Sequence, residues 1–419
     1  STTENAMTHS FDIAIVGGGL AGQSLAAALR HLDFSVALIE GRSLAKTDDR
    51  VTSLNRSSIT LYERIGVGAA LLKAAQPMFD IKVVDDATGA AMSFEEGSVP
   101  DAPGDGQEDT PVAAHGYVVH NQDILAALAQ SRQGDEGLVV FENTSAHIEE
   151  IAPSHAVLAL ADGTKLKAGL VCAADGGRSA FRAAAGISSL SRTYKQANIT
   201  ATLTHAHGHG GIGFQRFLPG GPVAFIPMQG TQSSLAWTVP ESAAGSILGL
   251  SDEAFLALLS AQIFGADEAD TRGPLTATGP RSTYPIRANI ADTFHAARLL
   301  LVGDAAHVIH PLAGQGFNLT VRDIGVVAQL LQETRALGGD IGGEALCAAY
   351  SARRRPDILA TFAATDALNR AYSTRNPAWT LLRNAAMRLG KRQAMLRQLF
   401  SAQAQGSVFG LPPLMAPEG

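Results

Sequence analysis

Cysteine is nearly absent: the 419-residue sequence contains two, Cys172 and Cys347. Two thiols cannot build a disulfide framework, and this fits a reducing compartment. No stretch approaches the ~18–20 consecutive apolar residues that a membrane-spanning helix needs. There is no excess of positive charge either. The 32 Lys and Arg stand against 39 Asp and Glu, a formal charge of −7, which argues against a general nucleic-acid binder with its basic face for phosphate. The polar stretch Ser1–Ser10 lacks the basic-then-apolar layout of a secretory signal, so the expectation is a cytoplasmic protein. No repeat of solenoid length is present. With 46% apolar and 17% charged residues the chain has the composition of a globular protein. Its length suggests two or three domains around a large core.

The apolar run Phe11–Val16 ends in Gly17-Gly18-Gly19, a buried strand meeting a tight turn. A helical pattern to about His31 and a second apolar run, Ser35–Ile39, closing on Glu40, complete one β-α-β unit. Residues 95–112 are acidic and rich in Pro and Gly, and read as a surface loop. Between Leu138 and Ala173 short strands separated by turns such as Ala161–Gly163 suggest a meander. Residues 195–240 are again strand-like, Ser251–Phe264 helical, and Ala297–Val302 forms a third apolar run before a long helix from about Gly316. The remainder from Glu344 reads as helical, with Pro356 and Pro377 as boundaries. The pattern predicts an α/β protein in which strands return late in the chain to the first sheet.

Three constellations carry chemistry. In Gly17-x-Gly19-x-x-Gly22, Gly17 makes the turn, Gly19 lets a pyrophosphate approach the backbone, and Gly22 allows close helix–strand packing. The helix N-terminus favours negative charge, and Glu40 can accept both ribose hydroxyls. Gly208–Gly213 also satisfies GxGxxG but lacks the strand–helix junction, so it reads as a loop. The neighbouring His205, His207 and His209 read as a solvated turn and not a metal site, since no carboxylate or Cys set completes one. The second constellation delivers Asp175-Gly176 from a strand end, with Ser179 and Arg182 opening a helix; the carboxylate can serve a dinucleotide or simply cap the helix. The third runs Gly303-Asp304 through His307, His310, Pro311 and Gly314-Gln315-Gly316-Phe317-Asn318. Asp304 is placed to hold a polyol hydroxyl, and the free N–H groups of the following helix can stabilise charge on a reduced isoalloxazine.

Together these segments resemble the flavin-binding fingerprints of FAD-dependent class A (para-hydroxybenzoate-hydroxylase-fold) monooxygenases. The Gly303–Leu319 stretch, Arg216–Pro227 with Trp237, and Tyr284-Pro285-Ile286 are similar to the ubiquinone-biosynthesis hydroxylases. The resemblance spans Phe11 to about Gly406. It implies a discontinuous Rossmann-like FAD-binding domain (1–76, 113–185 and 286–345), an inserted mixed β-sheet substrate domain (77–112 and 186–285) and a helical C-terminal region (346–419). It assigns Gly17, Gly19, Leu20, Ala21, Gly22, Glu40, Gly41 and Arg42 to the ADP part of FAD, and Arg50, Asn121 and Gln122 to the diphosphate and ribityl chain. Asp175 and Gly176 match the Asp-Gly motif, Asp304 the ribityl-binding aspartate, and Pro311 with Gly314–Asn318 the loop against the isoalloxazine.

The resemblance further implies reduction of non-covalent FAD by NADH or NADPH and oxygen transfer from a flavin C4a-hydroperoxide to an electron-rich ring, with Pro311 and His310 beside the reaction. No second strand–GxGxxG–helix unit exists, so the nicotinamide donor binds transiently. Phe217, Phe225, Pro227, Trp237 and Tyr284 are the expected walls of a pocket for the aromatic substrate, and no metal is expected. The functional reading stays open between a hydroxylase of a polyprenyl-phenol of ubiquinone biosynthesis, a hydroxylase of another aromatic compound, a flavin reductase or dehydrogenase of the same fold without oxygenation, and a flavin-bound member of a quinone-biosynthesis complex with little turnover; oligomerisation is left open too. Between Ala367 and Pro417 the chain has no Asp or Glu but carries Arg370, Arg375, Arg383, Arg388, Lys391, Arg392 and Arg397. Interleaved with apolar residues, this basic segment is expected to contact a membrane surface or a partner protein, or to pack on the acidic remainder.

Overall fold

The computed structural model describes residues 8–45, 48–85, 91–93, 114–264, 272–373 and 410–417. The first apolar run lies within the strand Thr8–Val16, whose Ile13, Ala14 and Ile15 are fully buried. A strand covered on both faces needs no polar alternation, hence the continuous run. Parallel partners flank it: Lys165–Ala173 and then Leu299–Leu301 on one side, Val36–Ile39 and then Leu138–Phe141 on the other. Helix Leu20–His31 makes the first crossover and packs against helices Asn121–Ser131 and Gly316–Ala336. Ala146–Ile151 and Ala156–Leu160 extend the sheet antiparallel from Lys165–Ala173, so the expected meander holds from Ala146 on, whereas its first strand, Leu138–Phe141, pairs in parallel with Val36–Ile39 instead. The late strand Leu299–Leu301 closing on this sheet makes the unit discontinuous.

A second sheet of nine strands runs His307–Val308, Ser282–Ala291, Ser189–His205, Gln232–Pro240, Gly221–Pro227, Ile212–Leu218, Asp80–Asp85 and Ala91–Ser93, with Leu275–Thr278 beside Ser189–His205. It is mixed, because Ile212–Leu218 and Asp80–Asp85 pair in parallel. Strand Ser282–Ala291 continues past residue 285, and His307–Val308 pairs with it, so segments on both sides of that position share this sheet. Helices Glu241–Leu248 and Asp252–Phe264 cover one face and enclose a second core with Ile199, Val223, Phe225, Leu235, Trp237 and Phe255. A small antiparallel sheet joins Val51–Asn55, Gly116–His120 and Gln76–Met78.

Pro356 does not end a helix. Glu344–Ser373 is continuous through it, although an interior proline removes a hydrogen bond and costs about 3 kcal/mol. Tertiary burial offsets that cost: Cys347, Tyr350 and Ile358 are in the main core, and Arg354 and Asp357, on either side of the proline, are locked in ion pairs. Residues 410–417 are not helical; Met415 is buried in the main core, and Arg64 donates to the carbonyls of Pro413 and Ala416. Pro377, most of the basic segment (374–409) and the acidic stretch 95–112 lie outside the described residues.

Candidate active site

The glycine turn is built by steric necessity. Gly17 has φ +106°, and a Cβ there would stand 2.3 Å from the Ala174 carbonyl oxygen; a Cβ on Gly22 would stand 1.7 Å from the Gly17 carbonyl oxygen. The turn is thereby pressed between its own helix and the strand end that carries Asp175. At Gly19, by contrast, the Cβ position faces open space. Helix Leu20–His31 starts there with no side-chain cap, so its first N–H groups point outward without a protein acceptor from a capping side chain. Leu20 and Ala21, in its first turn, are half-buried. Glu40 closes the mouth: Oε2 accepts the Gly18 N–H at 2.6 Å and Oε1 the Arg42 N–H at 3.0 Å. Each carboxylate oxygen keeps a further lone pair for a ligand hydroxyl. Gly41 leaves open space beside it, and the Arg42 side chain is exposed.

Asp175 fills the structural one of the two roles its sequence context allowed. Oδ2 accepts the N–H groups of Ala180 and Phe181 and so caps the short helix Ala180–Ala184, while Oδ1 is buried with no partner. Gly176, at φ +83°, again faces open space. Arg182 ties this turn to the next part of the site, donating to the carbonyls of Gly177 and Ala305.

Asp304 sits in a single 3-10 turn, Gly303–Ala305. It is open to solvent yet walled by protein, so it lines a recess. Loss of bulk water pushes its carboxyl up, against the pull of His307 and Arg50. Arg50 lies within electrostatic reach of both Asp304 and Tyr284. Its guanidinium is paired with Asp48 at 2.6 Å. Asp48 is desolvated, but its hydrogen bonds from Arg50 and Asn121 outweigh that and hold it at about 2.

Two of the expected cofactor residues have their side chains committed to the protein. Asn121 donates to Asp48 and accepts from Thr52 Oγ1, and so fixes the loop that presents Arg50. Asn318 is buried; it accepts from the Asn55 N–H and Ser58 Oγ and donates to the carbonyls of Ser53 and Gly314. It therefore locks the loop of Pro311 and Gly314 against strand Val51–Asn55. Gln122 is exposed in the first turn of helix Asn121–Ser131, and Phe317 is half-buried in the first turn of helix Gly316–Ala336. Gly314, at φ +62°, is exposed; Gly316 faces open space and begins helix Gly316–Ala336, with Gln315 at the cap position and no side-chain cap bond.

His310 is completely buried. Its Nδ1 accepts the Leu312 N–H, so the proton sits on Nε2, which has no partner among the described residues. Burial pushes this imidazole down to about 4. His307 points elsewhere, its Nε2 2.6 Å from Asp323 Oδ2. That same Asp323 oxygen accepts the Gly303 N–H, and its other oxygen meets Arg354 Nε at 2.6 Å. Arg354 and Arg322 both pair with Asp357. This buried ion cluster, which sets the Gly303–Ala305 turn from beneath, was not among the expected site residues.

The four expected pocket aromatics and Pro227 do not form one wall. Cross-strand register puts Phe225 opposite Leu235 and Trp237 opposite both Val223 and Ile199, all in the core beneath the helices. Pro227 shares that face. Phe217 stands opposite Pro222, and Tyr284 opposite Asn198, on the other face. The pleat alternates sides every residue, and this separates them. Tyr284 is the one that approaches Arg50 and Asp304 across the recess. His205 and His209 bond within the protein, to Ser233 and the Met228 carbonyl; among the described residues no cluster suited to a metal is found.

A long dianionic cofactor with a polyol chain fits these residues. The open space at Gly19, the helix starts without a side-chain cap, Asp175 Oδ1 and Asp304 are the donors and acceptors such a group needs. A family model for an FAD-binding domain matches residues 10–365. The chain is 36% identical over 404 residues to the ubiquinone hydroxylase UbiL of Rhodospirillum rubrum, covering 95% of this chain and 90% of that one. It is 27% identical over 444 residues to the human ubiquinone biosynthesis monooxygenase COQ6, covering 94% and 92%. Among solved structures, p-nitrophenol 4-monooxygenase PnpA of Pseudomonas putida superposes with a TM-score of 0.75 at 16% identity, covering 96% of this chain and 99% of that one. PqsL of P. aeruginosa gives 0.74 at 21% identity over 88% and 98%. The chain belongs to the FAD-binding-domain family and is an FAD-dependent aromatic-ring monooxygenase.

Proposed function

We propose that this protein hydroxylates the ring of a polyprenyl-phenol intermediate of ubiquinone biosynthesis, consuming dioxygen and NADH or NADPH. The observation that carries the reading is the end-to-end likeness to a ubiquinone hydroxylase. When bound, FAD supplies the reduction and the activation of dioxygen. The chain's own tasks are binding, orientation and exclusion of water.

Gly17, Gly19 and Gly22, with the N–H groups of Leu20 and Ala21, would hold the diphosphate on the helix dipole. Glu40, Gly41 and Arg42 would take the adenosine side, and Asp175, Gly176 and Arg50 the centre. Asp304 would hold the ribityl chain, and Pro311, Gly314, Gln315, Gly316 and Phe317 the ring system. The helix start at Gly316 favours negative charge on that ring system. Asn121 and Asn318 act by holding these loops in place. His310, neutral at working pH because burial lowers it to about 4, is a hydrogen-bond donor through Nε2 beside Pro311 and not a cationic acid.

The test is incubation of the FAD-loaded protein with NADH or NADPH, isotopically labelled dioxygen and a short-chain prenylphenol, read by mass spectrometry. One labelled oxygen in the product is expected. Oxygen consumption that ends in peroxide with every phenol tried overturns the reading. We also propose that the basic segment brings the enzyme to anionic lipid or to a protein that presents the polyprenylated substrate. Its seven cations without an acid support this, and no described helix is long and apolar enough to cross a membrane. Liposome co-sedimentation at low and high salt, with Arg388, Lys391 and Arg392 changed to Glu, tests it; equal, salt-insensitive partitioning refutes the lipid contact.

A further inference from the structure

Tyr284, on strand Ser282–Ala291, lies within electrostatic reach of Arg50, as does Asp304. It is 42% exposed although much protein surrounds it, so its ring lines the recess. Its hydroxyl accepts a hydrogen bond from Asn198 Nδ2 at 2.8 Å. A phenol that accepts from an amide has its own O–H proton left to donate elsewhere. Burial pushes the Tyr284 hydroxyl up, which keeps that proton in place.

Asn198 is only 2% exposed, and the backbone goes out of its way to put it there. Strands Ser189–His205 and Ser282–Ala291 pair regularly from Ser189 to Thr193, opposite Ala291 to Arg287, and again from Ala197, opposite Pro285. Between them the first strand carries two extra residues. Lys195, in that bulge, has φ +53°, a left-handed conformation that a side chain such as lysine rarely adopts. Without the bulge Gln196 would stand opposite Tyr284. With it, Asn198 does, and Gln196 bonds instead with Asn369 of helix Glu344–Ser373 and with the Gly220 carbonyl. Bulges that re-aim side chains gather beside active sites.

We propose that Asn198 is a positioning residue that fixes the Tyr284 hydroxyl as a donor to the ring oxygen of a phenolic substrate. This deepens the functional reading above and rests on it. The phenol would meet one directed donor on the substrate sheet, and the position of its oxygen against Tyr284 would select which ring carbon faces the cofactor. Asn198 itself touches no substrate.

The experiment titrates a short-chain prenylphenol into the FAD-loaded wild type and into Asn198→Ala, Asn198→Asp, Tyr284→Phe and Asn198→Ala/Tyr284→Phe, at equal FAD occupancy, following the flavin absorption change. Tyr284→Phe removes the donor and weakens binding roughly three- to tenfold. Asn198→Asp, close in size, gives the tyrosine proton an acceptor and weakens binding at least as much; it also carries the test if the alanine variant does not fold. In the double variant Asn198→Ala adds nothing to Tyr284→Phe, because it acts through that hydroxyl. An Asn198→Ala loss of the same factor in both backgrounds, or an Asn198→Asp protein that binds like wild type, overturns the proposal. A wild-type flavin spectrum that no phenol perturbs refutes the functional reading instead, and with it this inference.

Discussion

The neutral state of His310 makes the enzyme acid-labile in a defined window. An unfolded histidine titrates near 6.5, whereas the native imidazole, buried beside Tyr194 with a ring separation of 4.9 Å, titrates at about 4. Between these values the unfolded chain binds the proton and the native protein does not. Stability therefore rises with pH through the window, is complete above about pH 6.5 and is lost as pH falls toward 4. Integrated from pH 7.5 down to pH 5, this one group costs about 2 kcal/mol. Carboxylates titrate over part of the same range, so the measurement is a difference. Denaturant unfolding of the FAD-loaded protein is compared with His310→Gln, which cannot titrate, at both pH values and fixed free FAD. The wild type should lose about 2 kcal/mol more than the variant. Parallel losses would show that His310 is protonated in the native state or has a partner, and the assignment of Nε2 as a neutral donor would fall.

Asp304→Ala should weaken flavin retention by roughly one to two decades, the worth of a charged hydrogen-bond acceptor; equilibrium dialysis against FAD checks it, and an unchanged constant would remove Asp304 from the site. Gly22→Ala places a Cβ 1.7 Å from the Gly17 carbonyl oxygen, so no yellow protein should be recovered, whereas Gly19→Ala, with open space at its Cβ, should fold and bind FAD more weakly. His310→Ala should lower hydroxylation by less than the ~10²–10⁴-fold typical of a lost general acid or base; a larger loss with FAD still bound would give it a protonic role. Asp323→Asn leaves Arg354 short of its counter-charge inside the protein and should destabilise the fold by about 3–5 kcal/mol, seen as a large drop in the unfolding midpoint.

How far the sequence could be read depended on whether a residue's role is set by its neighbours in the chain. The glycine turn, Glu40 and Asp304 were legible because each follows closely on a strand end, after Thr8–Val16, Val36–Ile39 and Leu299–Leu301. The roles of Asn121 and Asn318 were not, since their partners lie far away in sequence, at Asp48 and Thr52 and at Ser53, Asn55 and Ser58. Trp237 and Phe225 resembled pocket residues, but which side of a sheet faces a ligand depends on which side is covered, and here helices Glu241–Leu248 and Asp252–Phe264, later in the chain, cover theirs. The ion cluster escaped because Arg322-Asp323 in a helix normally reads as a solvated face. Its signal was present: Leu319, Val321, Ile324, Val326 and Val327 surround the pair, so that helix is apolar all round, and charges at its centre have to be buried together. Pro356 misled for the same reason, its helix being held by burial that local propensity does not record.

One carboxylate, Asp323, grips the Gly303 turn with the oxygen that also holds His307, and His307 is paired in the strand ladder opposite Ile290, on the strand that carries Tyr284. The Gly303–Ala305 turn and the second sheet are thus two ends of one lever with a shared fulcrum. Any free energy that cofactor loading contributes to aligning the sheet must return, by thermodynamic reciprocity, as tighter cofactor retention when a phenol is bound. The dissociation constant for flavin should fall in the presence of the aromatic substrate, by the same factor by which FAD raises the affinity for that substrate.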